Sequence, residues 1–207
     1  MKQTLTFLAS ALLLGWVLPL WALSLDFETS SRTELDNPHD LKLTADGRYL
    51  MVSDVGNNRV VLLDPLSLQS VGDFGDGEQA GTHDVEVDAN GLVYVASTHN
   101  NRILVYRLNE QLQATLVDQV SGNFRGPEGV LKHPNGRLYV AGAWSGNVVA
   151  YEQGRQVAEL GGLSSPHDLE LAANGDLWLA DAGNHRLLLL SPDLQVKQEL
   201  SGAPFDF

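Results

Sequence analysis

The sequence predicts an all-β chain, a β-propeller with four blades present. Three observations predict it: one phrase of residues recurs four times, its period is that of a four-stranded blade, and each copy is made of short β-rich runs broken by hairpin turns.

The first copy runs Asn37-Pro38-His39-Asp40-Leu41-Lys42-Leu43, turns at Ala45-Asp46-Gly47, continues as Tyr49 to Asp54, and ends with Gly56-Asn57-Asn58-Arg59 and an apolar run to Leu63. The second has Thr82-His83-Asp84-Val85-Glu86-Val87, Ala89-Asn90-Gly91, Val93 to Ser97 and Asn100-Asn101-Arg102. The fourth has Pro166-His167-Asp168-Leu169-Glu170-Leu171, Ala173-Asn174-Gly175, Leu177 to Asp181 and Gly183-Asn184-His185-Arg186. The third is looser, opening Gly126-Pro127-Glu128-Gly129-Val130-Leu131 and turning at Pro134-Asn135-Gly136.

Equivalent positions 39, 83, 128 and 167 lie 44, 45 and 39 residues apart, the length of one four-stranded propeller blade. Within each phrase, runs rich in Val, Leu, Tyr and Ile are separated by Asp-Gly or Asn-Gly, the strongest short hairpin signal. A fourth, outer strand is expected after each phrase, at residues 68–74, 114–120, 156–160 and 195–200. A helical solenoid of similar period is the alternative, but no stretch after residue 24 keeps helical apolar spacing over ten residues.

The Pro-x-(Asp/Gly) opening, the Asp-Gly or Asn-Gly turn, the aromatic-aliphatic strand and the Asp, Asn and Arg set before the third strand resemble the NHL repeat family over roughly residues 37–200. The resemblance implies a six-bladed disc. Four phrases would then leave the ring incomplete at its C-terminal side, with residues 25–36 as a lone outer strand. A smaller closed ring is the alternative.

At the N-terminus, Lys2 precedes an apolar run from Leu5 to Leu20, followed by Ala22-Leu23-Ser24. This pattern predicts a signal peptide over residues 1–24 and a propeller domain over residues 25–207, secreted or periplasmic, with no membrane span after cleavage. An uncleaved anchor helix is the alternative, since the run is near the shortest that spans a bilayer. The chain has no cysteine, which rules out disulfides and thiolate metal sites. Acidic residues outnumber basic ones 26 to 13, for a net charge of −13, which speaks against nucleic acid as a partner and draws cations toward concave surfaces.

The innermost strand of a blade is the first of each phrase, so residues at its start surround the mouth of the central channel. His39, His83 and His167 hold that place, each followed by an aspartate: Asp40, Asp84 and Asp168. Three imidazoles converging on one axis, with carboxylates to fix tautomers or add ligands, suit a divalent metal such as zinc or calcium. Glu128 holds the same place in the third phrase. The bland alternative is that polar residues here only hydrogen-bond the backbone of the next blade. The Pro-His-Asp-Leu strings at 38–41 and 166–169 are similar to the zinc-ligand strings of the peptidyl-hydroxyglycine amidating lyases, which share the NHL propeller. That resemblance implies a zinc site, although in that family the histidines come from alternating blades, and here they come from the first, second and fourth.

Asp54 and Asp181 are expected to cap the turns before the third strands, with Arg59, Arg102 and Arg186 pairing with nearby carboxylates. Asn57, Asn58, Asn100, Asn101 and Asn184 are expected to supply positive-φ conformations. His99 and His185 fall in rim loops on the face of the aligned histidines, and His133 in the opposite turn with no role assigned. Trp144 in the third rim loop is a candidate ligand or partner contact, whereas Trp178 reads as core. No nucleophile elbow or phosphate-cradling glycine loop occurs. Two functions follow. The first is an exported platform binding a protein, peptide or glycan over its loop face. The second is a metal-dependent enzyme, lyase-like or similar to the gluconolactonase group, working at the channel mouth.

Overall fold

The computed structural model describes residues 29–203; the expected signal peptide and residues 25–28 lie outside it. Sixteen strands form four antiparallel sheets of four, each in chain order. The first blade is β1 (Pro38–Leu43), β2 (Leu50–Asp54), β3 (Arg59–Leu63) and β4 (Ser70–Phe74); the second is β5 (Thr82–Val87), β6 (Leu92–Ser97), β7 (Arg102–Leu108) and β8 (Ala114–Val120). The third is β9 (Pro127–Lys132), β10 (Leu138–Gly142), β11 (Asn147–Glu152) and β12 (Arg155–Leu160); the fourth is β13 (Pro166–Leu171), β14 (Leu177–Asp181), β15 (Arg186–Leu190) and β16 (Val196–Ser201). The inner strands pack in succession, β1 on β5, β5 on β9 and β9 on β13. This is a β-propeller arrangement. Residues 29–37 carry no strand: they run as a connector in which Asp36 N–H donates to Asp54 Oδ1 and Gly56 N–H to Asp36 O. The expected lone outer strand is therefore absent over its described part.

Strand pleating sends alternate side chains to opposite faces, so each blade presents one apolar set forward and another back. The forward set of the first blade, Met51, Val60 and Leu62, packs on Val85, Val93, Val95 and Leu104 of the second. Tyr94, Ala96, Ile103 and Val105 then pack on the third blade, and Tyr139, Ala141, Val148 and Ala150 on the fourth. A Leu or Val fully buried this way contributes roughly 1.5–3 kcal/mol. The same forward positions in the fourth blade are Trp178, Ala180, Leu187 and Leu189, all only half-buried. Trp178 thus lies at the edge of the apolar core, contrary to expectation, because among the described residues no blade lies in front of it. On the back of the first blade, Leu41 and Leu43 are 59% and 49% exposed, where the equivalent Val85 is fully buried.

The rim turns also refine the sequence reading. Positive φ falls on Asn58, Asn101 and His185, not on Asn57, Asn100 or Asn184. Asn57 and Asn184 instead donate through Nδ2 to Asp54 and Asp181, both at 2.9 Å. Arg59 and Arg186 reach the same two carboxylates through Nε, at 2.9 and 2.7 Å. Arg102 faces Ser97 in that role and bonds Gln119 Oε1 rather than a carboxylate. His133, given no role by the sequence, is 7% exposed; it accepts Asn135 N–H at 2.9 Å through Nδ1, leaving Nε2 to donate to Gly175 O of the next blade at 2.9 Å.

Candidate metal centre at the channel mouth

The inner strands are not regular at their starts. In β1, β5 and β13 the ladder to the neighbouring strand slips between Pro38 and Leu41, between Thr82 and Val85, and between Pro166 and Asp168, and β9 slips at the same place, across Glu128. A bulge frees one residue from pairing and re-aims its side chain. The freed positions hold His39, His83, Glu128 and His167, so four copies of one irregularity turn four polar side chains toward the axis.

There the three imidazoles converge. Ring centroids are 3.9 Å apart for His39 and His83, 4.8 Å for His83 and His167, and 5.9 Å for His39 and His167. One nitrogen from each lies within 4.8 Å of the other two. Tetrahedral zinc with bonds of about 2.0–2.1 Å wants its nitrogens about 3.3 Å apart, a distance that modest side-chain rotation supplies. Glu128 stands beside them, Oε1 4.0 Å from His83 Nε2 and Oε2 3.8 Å from His167 Nε2, too far for hydrogen bonds. These four residues, with Asp40, Asp84 and Asp168, line a cavity of about 80 Å³, room for an ion and a few ligand atoms. Two larger clefts open on the opposite face. Among the described residues, the three histidines are the one group of three or more ligating side chains within such reach.

Electrostatics favours the neutral, metal-ready imidazole. Burial, then the charges of His39 and His167, push His83 down to about 3. Burial and His167 lower His39 as well. Burial lifts Glu128 above the ordinary carboxylate range, against the pull of His167.

The aspartates do different work. Asp40 Oδ2 accepts Val85 N–H at 3.2 Å, and Asp84 Oδ2 accepts Val130 N–H at 2.6 Å, each bond joining one inner strand to the next. In the third phrase Gly129 replaces aspartate, since a Cβ there would sit 3.0 Å from His167 O and 3.1 Å from the Asp168 Cα. Leu169 N–H, deprived of that partner, bonds Asp168 Oδ1 at 2.7 Å. Two of the three aspartates are therefore inter-blade struts behind the histidines. Trp144 is 52% exposed on the same rim, stacked on His99 with centroids 5.8 Å apart.

The family model of the NHL repeat matches residues 163–188, the start and middle of the fourth blade. No curated protein matches the chain by sequence. Solved structures of similar fold include a streptogramin B lyase (TM-score 0.65, 14% identity, covering 83% of this chain and 57% of that one). A catalytically inactive virginiamycin B lyase from Staphylococcus aureus with quinupristin is similar at TM-score 0.63 and 13% identity, over 81% of this chain and 56% of that one. Hydrazine synthase of Kuenenia stuttgartiensis is similar at TM-score 0.65 and 16% identity, over 85% and 52%. The chain spans little more than half the length of these structures. With four antiparallel blades of one strand pattern packed in succession and an NHL repeat matched in the fourth, this chain is a β-propeller that carries an NHL repeat.

Proposed function

We propose that this propeller binds a divalent cation, zinc first, through His39, His83 and His167, and acts on a small ligand at the channel mouth as a lyase- or lactonase-like enzyme. One observation carries the proposal: nitrogens from three blades stand within 4.8 Å of one another around a small open cavity. All six of the sequence's histidines are accounted for, and only these three meet. Bound zinc would supply Lewis-acid polarisation of a substrate oxygen. His83 and His39, held neutral by burial and mutual repulsion, keep their nitrogens available as ligands at ordinary pH. Glu128, whose carboxylate oxygens stand 4.0 and 3.8 Å from His83 and His167, would take a proton from a ligand at the mouth. The struts Asp40 and Asp84 hold the inner strands that carry His39, His83 and Glu128. Two of the structures similar in fold are named as lyases, which supports this reading at the level of the fold alone.

The test is metal content after dialysis of the full chain against zinc and then buffer. One zinc per chain is expected, lost in both His83→Ala and His167→Ala and kept in His99→Ala, with any lactone- or lyase-type turnover lost alongside it. No zinc in the wild type would overturn the metal centre and leave the first reading, a platform for a protein, peptide or glycan.

A further inference from the structure

Each inner strand is entered through a residue of positive φ: Asn37, Gly81, Gly126 and Ser165, at 54°, 64°, 55° and 47°. Facing it across the blade rim is one position in the loop between the second and third strands, held by Gly56, His99, Trp144 and Gly183. The pairing differs between blades. In the first and fourth blades the entry residue has a side chain and the rim residue is glycine, where a Cβ would run into Asp36 or Ser164 at 2.3–2.4 Å. In the second and third blades the entry residue is glycine and the rim residue is an aromatic ring lying over it. A Cβ on Gly81 would touch three His99 ring atoms at 3.1–3.2 Å, and one on Gly126 would overlap the indole of Trp144 at 2.3–2.7 Å.

The two rings are therefore seated flat on backbone, and they stack on each other with an interplanar angle of 25°. Both residues are nevertheless exposed, Trp144 at 52%. The shelf is also local. Gly81 is two residues before His83 and Gly126 two before Glu128, so the rings border the mouth on the side of the second and third blades. In the first and fourth blades the equivalent position is glycine, Gly56 and Gly183.

Building on the metal-centre reading, we infer that the ligand of this mouth carries a ring that stacks on the Trp144–His99 shelf and an oxygen donor, a carboxylate, carbonyl or hydroxyl, that reaches the three histidines. An exposed indole backed by a second ring offers a wide apolar face at little cost in side-chain entropy. A ring held there is positioned by the shelf while its oxygen is directed into a cavity of about 80 Å³, which is too small to take the ring itself. The ring could be aromatic or the apolar face of a pyranose; both stack on indole through the same geometry.

The experiment titrates the zinc-loaded full chain with 3-phenyllactate, with lactate, and with methyl glucopyranoside, following tryptophan fluorescence and calorimetric affinity. Phenyllactate is expected to bind at least about fivefold tighter than lactate, the stacking contribution of one ring. Trp144→Ala should erase that ratio while keeping zinc content and melting temperature, and Trp144→Phe should restore most of it. Tighter binding of the glucopyranoside, equally dependent on Trp144, supports the shelf and identifies its ring as a saccharide. A phenyllactate-to-lactate ratio below two in the wild type, or one unchanged in Trp144→Ala, overturns the inference. Zinc content is read separately: if none binds, the metal centre falls, and the same ratio in the metal-free protein decides the shelf by the same thresholds.

Discussion

Asp84 bonds Val130 across a blade boundary, its carboxylate oxygen 2.6 Å from a backbone nitrogen 46 residues further along the chain. The bond is a strut, but the charge on it is a burden. Asp84 is almost wholly buried, and burial, then the neighbouring Asp40 carboxylate, raise its pKa well above the ordinary value. A raised carboxyl pKa stabilises the fold fully only below the unfolded value, and that benefit is gone once pH rises through the folded value. Asp84→Asn keeps an oxygen for Val130 and removes the repulsion. It should raise the melting temperature of the metal-free chain at pH 7 by a few degrees, on the order of 1 kcal/mol, with the gain shrinking toward pH 4. Asp84→Ala, which leaves Val130 N–H without its partner, should melt lower than wild type at both.

His83 makes the opposite pH prediction. Its imidazole is held down to about 3 in the fold, against 6.5 unfolded. Between those values the unfolded chain takes up a proton that the folded chain refuses, so stability falls as pH drops below about 6.5 and is unaffected above it. Thermal melts of the metal-free chain from pH 7.5 to 4.5 should show this decline, and His83→Gln should flatten it. An equally steep decline in the variant would assign the acid sensitivity elsewhere.

Gly129 tests how closely the third and fourth inner strands must approach. A methyl group there would meet His167 O at 3.0 Å, Asp168 Cα at 3.1 Å and Ala141 Cβ at 3.2 Å, two of them backbone atoms that cannot swing away. Gly129→Ala should cost about 1–3 kcal/mol and, by pushing β13 outward, weaken zinc uptake through His167. Gly161→Ala, with nothing within 4 Å of the new methyl, is the matched control and should change neither.

Much of this was legible in the sequence, for one physical reason. A repeated phrase folds each copy the same way, so equal positions become radially equivalent; the spacing of His39, His83 and His167 alone predicts their meeting at an axis. The blade count, the strand order and the strands at 114–120 follow from the same periodicity. What the phrase hides are the couplings between copies. The choice of Asn58 over Asn57 for positive φ depends on Asp54 already holding the Asn57 amide. Asp40 and Asp84 look like metal ligands until the next blade's N–H is in place to claim them. The exchange of glycine and aromatic between residues 81 and 99, or 126 and 144, becomes visible only when the entry and rim positions are seen face to face. Trp178 reads as core because its three counterparts are core, and only the packing of whole blades shows its face half open.

His133 belongs with those hidden couplings and carries the last prediction. Within its turn the imidazole takes Asn135 N–H, which fixes the tautomer, and the remaining N–H spans to Gly175 O in the neighbouring turn. Its ring also lies edge-on to Tyr139, 5.9 Å between centroids, and Tyr139 in turn donates its hydroxyl to Pro192 O at 2.7 Å. Two hydrogen bonds thus tie the third blade to the fourth at the end of the propeller opposite the metal centre. His133→Ala removes two hydrogen bonds from a nearly buried position, and should cost about 1–3 kcal/mol. Tyr139→Phe removes the bond to Pro192 O and a long one, 3.4 Å, from Asn135 Nδ2, and should cost about 1 kcal/mol. Because the two side chains touch, the double variant should lose less than the sum. Zinc content should stay at the wild-type level in all three, since the histidines are held from the other end of the strands. A loss of metal in His133→Ala would mean instead that the fourth blade's position, and His167 with it, depends on this turn.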